Sequence, residues 1–356
     1  MIKLPGLIDP HVHLREPGAT HKEDWKSGTE AGVAGGFTML LAMPNTTPPI
    51  IDKDTYQIAF QAANKKSLID YGLFIGASPQ NIYIAADMAP DVAGLKMYLD
   101  HTYGPLHLAH LTHWQEHIKN WPANYPICVH AEGRTLAAVL LIAVLYDKPI
   151  HVCHVARKEE IELIRAAKQK GVRVTCEVTP HHMFLTENDI PQDEPGKGEV
   201  RPRLGTTQDL EALWKNLEVI DCFASDHAPH TLAEKTSQDP PPGFPGLETS
   251  LYLYLTAVAE RRLTVDDLIL RMYTNPRKIF HLPRQSETWI EIDSEIVWEI
   301  KADNSYSRCG WTPFENWKVR GRLRRVVLRN DSIFINGELR TNPGSGRNIR
   351  RIVEPY

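Results

Sequence analysis

The chain has few cysteines, little net charge and no long apolar run. Its 356 residues include five cysteines, which are too few and too scattered for a disulfide framework. A net charge of -4 creates no strong field for nucleic acid or an acidic membrane. No apolar run approaches the roughly 18 residues that a membrane span needs, and no charged leader precedes an apolar stretch. These absences predict a cytoplasmic protein with reduced thiols that binds neither nucleic acid nor a membrane.

Short apolar runs alternate with segments of helical pattern through most of the chain. The runs span 4–8, 37–43, 71–77, 93–99, 126–132, 149–155, 172–178 and 219–225. This alternation indicates parallel strands joined by helical crossovers, and eight such strands close a (β/α)8 barrel of about 250 residues. A doubly wound open sheet is the alternative, but it would not obviously place polar residues after so many successive strands. We therefore predict an α/β fold, a TIM-type barrel over residues 1–285.

The pattern changes near residue 283, where helical periodicity gives way to strand patterns at 289–293, 296–300 and 318–337. We predict a small β subdomain and a C-terminal tail over residues 286–356. Five arginines between positions 320 and 329 raise the alternative of a nucleic-acid patch. A solvated strand face is the better interpretation, because the chain is not basic overall and no aromatic residues are interleaved.

The stretch 5–18 carries the clearest chemical signal. His11 and His13 stand two residues apart, so in an extended strand both imidazoles point to the same side. Two neutral imidazoles suit zinc or a similar borderline metal, whereas a lone pair of this kind is more often satisfied by ordinary hydrogen bonds. The rest of the chain decides between these interpretations.

Polar side chains recur at the ends of the predicted strands, namely His11, His13, Lys96, His130, His154 and Asp226. Each alone has an ordinary explanation, such as an ion-paired lysine, a core histidine or a helix cap. The carboxyl ends of barrel strands meet at one mouth, so the six together predict a metal centre. If burial lowers the pKa of Lys96, the neutral amine can react with carbon dioxide to give a carbamate that bridges two metals about 3.5–4 Å apart. Asp226 would then be both a ligand and a proton shuttle.

Segments 6–18 and 224–235 resemble the two signature segments of dihydroorotase, in the amidohydrolase superfamily. With 43–45, 94–96, 130–132 and 151–154, the resemblance spans roughly residues 5–285, and 311–315 and 319–321 resemble the family's appendage. The chain resembles in particular the dihydroorotase domain of the animal multifunctional pyrimidine-synthesis polypeptide. The resemblance therefore implies a domain of a larger multifunctional polypeptide and a homodimer. A first strand only a few residues after Met1 agrees with this expectation.

The resemblance implies the reversible cyclisation of N-carbamoyl-L-aspartate to L-dihydroorotate in pyrimidine biosynthesis. It implies two zinc ions bridged by carboxylated Lys96 and a hydroxide. The first zinc would be held by His11, His13 and Asp226, and the second by His130 and His154.

A third metal is implied at Cys153 and Glu177, which end neighbouring strands. Regular alternation would turn Cys153 away from the side of His154, unless the strand end is irregular. A buried structural thiol is the alternative for Cys153.

The substrate carries a carboxylate, so a fixed cation is expected near the metals. Arg15 follows His13 by two residues and points to the same side. The resemblance adds further substrate-binding positions, Asn45, Arg201, His230 and Pro242, and lid positions, Thr102 and Tyr103, in a loop of glycine, proline and small polar residues. For Arg201 a solvated loop charge is the alternative.

Other members of the superfamily give rival hypotheses. Dihydropyrimidinase-hydantoinase and allantoinase share the barrel, the metals and the carboxylated lysine. Arg15 argues against both, because their substrates have no carboxylate at this place. A metal-free scaffold is a further alternative, which the six intact ligand positions disfavour.

Overall fold

The structure, a computed structural model, describes residues 1–351. The strands are β1 Ile2–Pro5, β2 Leu7–Val12, β3 Phe37–Ala42, β4 Asp70–Leu73, β5 Ile75–Gly76, β6 Leu95–Tyr98, β7 Ile127–His130, β8 Ile150–Val152, β9 Val174–Val178, β10 Cys222–Phe223, β11 Trp289–Glu299, β12 Lys318–Leu328, β13 Asp331–Ile335 and β14 Glu338–Leu339. The α-helices are α1 Trp25–Ala34, α2 Lys53–Lys66, α3 Ile82–Asp87, α4 Leu111–Asn120, α5 Arg134–Leu145, α6 Lys158–Gln169, α7 Pro180–Phe184, α8 Thr207–Lys215, α9 Leu232–Lys235, α10 Leu247–Ala259, α11 Val265–Ile269 and α12 Asn275–Ile279. None of the helices within residues 1–351 is long and apolar enough to cross a membrane.

Strands β2 to β10 form a closed parallel barrel. They pair in the orders β2-β3-β4 and β10-β9-β8-β7-β6-β5. One residue, Phe74, separates β4 from β5, so the two sheets share a single interrupted strand. Parallel pairing of Val12 with His227 joins the first strand to the segment after the last one. The (β/α)8 prediction is confirmed, and all carboxyl ends of the strands face one end of the barrel.

A second sheet, β1-β11-β12-β13-β14, forms the predicted small β layer. The N-terminal apolar run is divided between the two sheets at Gly6, because β1 pairs with β11 whereas β2 enters the barrel. The small sheet is therefore discontinuous in sequence. The boundary at residue 285 stays a prediction, and residues 352–356 of the predicted tail lie outside the described residues.

Local sequence and burial explain two of the helices. Helix α1 begins after Asp24, whose side chain accepts a hydrogen bond from the Ser27 backbone. Helix α10 has no strong apolar face in sequence, because most of its residues are buried between the barrel and the β layer.

Asp70, a fully buried carboxylate in β4, ties the barrel to the C-terminal part of the chain. Its oxygens accept hydrogen bonds from Arg329 Nη1 at 2.7 Å, Gln285 Nε2 at 2.7 Å and the Arg347 backbone at 2.9 Å. One buried acid thus organises three segments that are distant in sequence.

We expect Arg329→Met to lower the free energy of unfolding by about 3 kcal/mol, because it leaves the Asp70 carboxylate buried without its cation. Urea unfolding measures this change. Arg325→Met is the matched control, since Arg325 is exposed on β12, the strand that Arg329 directly follows, and it should change stability by less than about 0.5 kcal/mol. Equal stability of the two variants would contradict the assignment.

Candidate active site

Two histidines and one aspartate meet where the barrel closes. The Nε2 atoms of His11 and His13 lie 3.2 and 3.1 Å from Oδ1 of Asp226. The His13 backbone donates to the His227 carbonyl at 2.7 Å, which fixes the first and last strand ends together. Asp226 has a φ of 45°, so its side chain turns into the barrel at an irregular strand end.

The hydrogen bonds of the two rings fix their tautomers. His11 Nδ1 lies 2.5 Å from a carboxylate oxygen of Glu177, and His13 Nδ1 lies 2.6 Å from Oδ1 of Asn45. Each Nδ1 must donate, so a neutral ring directs the lone pair of its Nε2 towards Asp226. Two lone pairs facing one carboxylate oxygen are repelled by it unless a cation lies among them. Burial lowers the pKa of His11, but Asp226 and Glu177 outweigh burial and raise it to about 10, so either a proton on His11 or a metal ion supplies this positive charge.

A second pair of imidazoles adjoins the first. Nδ1 of His130 and Nε2 of His154 are 3.1 Å apart, and the ring centroids of His11 and His154 are 5.2 Å apart. Nδ1 of His154 is buried without a hydrogen-bond partner. Burial lowers the pKa of His13 to about 4 and that of His154 well below its ordinary value. Neutral imidazoles with a carboxylate form a donor set that fits zinc.

Lys96, Cys153 and Glu177 lie beneath these rings. Lys96 is fully buried and donates to Sγ of Cys153 at 2.9 Å. Cys153 also lies close enough to His11 and Glu177 for the three to share a metal. Strand β8 ends at Val152 and His154 has a φ of 35°, so the irregular strand end removes the objection that alternation raised against Cys153. Both Glu177 oxygens are engaged, the second by Nε2 of His151 at 3.1 Å.

Carboxylation of Lys96 was predicted on the condition that burial lowers its pKa, and the structure does not meet that condition. Burial lowers the pKa of Lys96, but Cys153 and Glu177 outweigh burial and raise it. Desolvation alone therefore does not produce the neutral amine, because the sequence did not reveal that two anionic partners stand beside the ammonium group.

Arg15 lies on the other side of the cavity and is buried. Its Nε donates to the Pro229 carbonyl at 3.0 Å, and its Nη2 lies 2.9 Å from Nε2 of His230. Lys22 donates to Nδ1 of His230 at 3.0 Å, so the proton of the neutral ring sits on Nε2, which faces the Pro242 carbonyl at 3.1 Å. Burial, Arg15 and Lys22 lower the pKa of His230 far below its ordinary value. Nη2 of Arg15 therefore faces a ring nitrogen that already donates its proton to the Pro242 carbonyl, so His230 offers it no acceptor.

These groups surround a narrow cavity of about 20 Å³. Its walls include most of the predicted residues: His11, His13, Arg15, Asn45, Thr102, Tyr103, His130, His154, Arg201, Asp226 and Pro242. Tyr103 closes it, since its carbonyl accepts from Asn45 Nδ2 at 3.1 Å and its ring packs edge-on against His230. Arg201 reaches the rim but pairs with Glu199 at 2.9 Å.

Sequence reasoning missed several contributors to the site. Tyr98 lines the cavity, and its position two residues after Lys96 in β6 was a usable signal. Lys22 and His151 hold His230 and Glu177 through side-chain contacts. No local pattern in the sequence identifies either of them.

Known proteins similar to this chain decide its family. The dihydro-orotase-like family model matches residues 1–75. A dihydroorotase of Pyrococcus furiosus is 34% identical over 371 residues, covering 98% of this chain and 85% of that protein. The chain belongs to the dihydroorotase family. The multifunctional protein CAD of Squalus acanthias is 55% identical over 350 residues, covering 98% of this chain. This member of the family spans only 16% of the length of that relative.

Solved structures agree with the barrel fold of the family. The inactive dihydroorotase-like domain of a CAD-like multifunctional protein of Chaetomium thermophilum is 30% identical, with a TM-score of 0.84, and the match covers 98% of this chain and 99% of that one. An L-hydantoinase of Arthrobacter aurescens has a TM-score of 0.93 at 24% identity, covering 98% of this chain and 89% of that one. The hydantoinase likeness speaks for the fold alone.

Proposed function

We propose that the chain is a dihydroorotase that interconverts N-carbamoyl-L-aspartate and L-dihydroorotate in pyrimidine biosynthesis. Its membership of the dihydroorotase family supports the reaction class, a cyclic amide hydrolase. The observation that supports this choice of substrate is the buried guanidinium of Arg15, which lies beside the cluster of histidines and Asp226.

Arg15 makes no ion pair with any residue of the described chain, and burial lowers its pKa only to about 10, so it stays charged at neutral pH. A buried unpaired cation is costly unless an anion compensates it. A substrate carboxylate would accept hydrogen bonds from Arg15 and, in place of the Pro242 carbonyl, from Nε2 of His230. The substrates of hydantoinases and allantoinases have no such group, which makes them the less suitable alternatives.

We propose that His11, His13 and Asp226 hold one zinc ion and that His130 and His154 hold a second, with carboxylated Lys96 as a shared ligand. Cys153 and Glu177 would hold a third together with His11, whose Nδ1 faces Glu177 and would give up its proton to bind the metal. Bound zinc would supply a water molecule of lowered pKa and a polarised amide carbonyl.

The other roles follow from the chemistry of the side chains around the cavity. Asp226 takes a proton from the attacking water and returns it to the leaving ring nitrogen, and cyclisation reverses this path. Asn45, Arg201 and the Pro242 carbonyl orient the substrate. Thr102 and Tyr103 exclude water once the substrate is bound.

Ring opening of L-dihydroorotate by the purified chain tests the proposal. We expect turnover that a chelator removes and added zinc restores, measured as formation of N-carbamoyl-L-aspartate. Absence of turnover in protein supplied with zinc and bicarbonate would contradict the proposed function.

A metal-free scaffold remains the second candidate, favoured by the relative whose domain is described as inactive. Zinc analysis by mass spectrometry separates the two. About two to three zinc ions per chain agree with catalysis, and zinc-free protein without turnover agrees with a scaffold.

We further propose that the chain is a homodimer and one domain of a multifunctional cytoplasmic polypeptide. Its 55% identity to part of a multifunctional protein supports the domain context, and five free buried cysteines support a reducing compartment. Helix α5 supports the dimer, because Leu141, Val144 and Leu145 leave 60%, 51% and 66% of their surface exposed.

Leu145→Glu is expected to convert the dimer into a monomer, because it places a charge on the most exposed leucine of this apolar patch. Sedimentation velocity measures the change. Ile58→Glu is the matched control, since Ile58 is 47% exposed on α2 and should leave the mass unchanged. If both variants remain dimeric, the dimer interface does not lie on helix α5.

A further inference from the structure

A second cavity, of about 780 Å³, lies between α10, the small sheet and the loop that joins β11 to β12. It shares no lining residue with the cavity at the histidine cluster, and its volume is in the range of about 300–1,000 Å³ that small-molecule sites occupy. Junctions between structural layers are a common place for such sites.

Aromatic side chains form one wall of this cavity. The rings of Tyr252 and Trp298 pack edge-on with centroids 5.0 Å apart. Their polar atoms are already satisfied, since the Tyr252 hydroxyl donates to the Ala34 carbonyl at 3.0 Å and Trp298 Nε1 donates to the Gly321 carbonyl at 2.7 Å. The remaining ring surfaces suit a flat, aromatic ligand.

The charges around the cavity leave one cation without a partner. Lys301 pairs with Glu299 at 2.6 Å and Arg324 with Asp293 at 3.3 Å. In contrast, Arg322 makes no ion pair with any of residues 1–351 and lies over the Trp298 ring, 4.7 Å from its centroid.

An acidic group also lines this cavity, but the neighbouring loop already occupies it. The Glu248 carboxylate accepts hydrogen bonds from the Ser305 hydroxyl and from the Tyr306 and Ser307 backbones. Glu248 therefore fixes the loop in place, and a ligand meets the guanidinium of Arg322 rather than a free carboxylate.

The inner end of the cavity offers a buried donor. Nδ1 of His227 accepts from the Gly246 backbone at 3.1 Å, so Nε2 of the neutral ring carries the proton. This Nε2 has no hydrogen-bond partner, and the nearest carboxylate oxygen, of Glu23, is 3.5 Å away. An acceptor on a ligand would satisfy it.

We propose that this cavity binds a small planar anion, an aromatic or heteroaromatic ring that carries a sulfonate, carboxylate or phosphate group. The ring packs against Trp298 and Tyr252, and the anionic group meets Arg322. The site is separate from the proposed substrate cavity, and its binding does not depend on the proposed function.

Fluorescence titration of the whole chain with 1-anilinonaphthalene-8-sulfonate tests this proposal, with the uncharged N-phenyl-1-naphthylamine as a matched probe. We expect one saturable site for the sulfonate, weaker binding of the uncharged probe, and no displacement by L-dihydroorotate. Arg322→Gln should weaken binding of the sulfonate by about tenfold, and Arg320→Gln, on the same exposed face of β12 outside the cavity, should leave it unchanged.

Several results would overturn the proposal. They are equal affinity in both arginine variants, equal affinity for the two probes, no saturable binding, and displacement by L-dihydroorotate. Trp298→Leu adds a test of the aromatic wall. Because Arg322 is exposed, its substitution keeps the test decisive if the tryptophan variant fails to fold.

Discussion

Asp226→Asn is expected to reduce ring opening of L-dihydroorotate by at least about a thousandfold while most of the zinc remains bound. The variant keeps an oxygen beside the Nε2 atoms of His11 and His13, but an amide cannot accept the proton of the attacking water. In the native chain, burial raises the pKa of Asp226, yet the surrounding imidazoles, His11 first, hold it well below its usual range. The carboxylate is therefore ionised and able to accept a proton.

Rate and zinc content must be measured on the same preparation, because Asp226 is proposed to be both a ligand and a proton acceptor. Asp221→Asn is the matched control, since the Asp221 carboxylate binds Lys168 and the Cys176 backbone instead of the cavity. Full activity of Asp226→Asn would refute the proton-transfer role. If zinc content falls in proportion to activity, Asp226 acts only as a metal ligand and not as the proton acceptor.

Arg15→Met is expected to raise the KM for L-dihydroorotate by about a hundredfold or more, with a smaller change in kcat and unchanged zinc content. Removing one partner of a buried, hydrogen-bonded charge pair costs about 2–5 kcal/mol, and about 1.4 kcal/mol corresponds to a factor of ten. The Arg15 side chain stands beside the proposed metal ligands without being one of them.

A matched substrate separates carboxylate binding from general damage to the site. 5,6-Dihydrouracil has the same ring without the carboxylate. We expect the native chain to open it slowly and Arg15→Met to open it at nearly the same rate. The KM of Arg15→Lys for L-dihydroorotate should lie between those of the native chain and of Arg15→Met, because lysine keeps the charge and loses the planar fork. An equal loss of activity towards both substrates would show that Arg15 maintains the structure of the site rather than binding the substrate carboxylate.

The barrel was predictable because each strand is a local apolar run and because helices and strands alternate along the chain. His11 and His13 were predictable as a pair for the same local reason, since residues two apart share one side of a strand. The placement of His130, His154 and Asp226 at one mouth followed from the parallel arrangement alone.

Other features depend on contacts between distant parts of the chain. The pairing of β1 with β11, the Asp70 contacts and the thiol beside Lys96 join segments separated by dozens to hundreds of residues. No local periodicity encodes such pairs. The sequence therefore predicted a lysine poised for carboxylation but not the neighbours that raise its pKa.

The sequence by itself determined the fold class, the likeness to dihydroorotases and the set of side chains proposed to bind metal, because these rest on local patterns and on residue types. Only the tertiary structure decided the tautomers of His11, His13 and His230, the closure of the cavity by Tyr103, and the cavity between α10 and the small sheet. Those features depend on contacts between atoms that are distant in sequence. Hydrogen-bond geometry and burial arise from these contacts and not from any single segment.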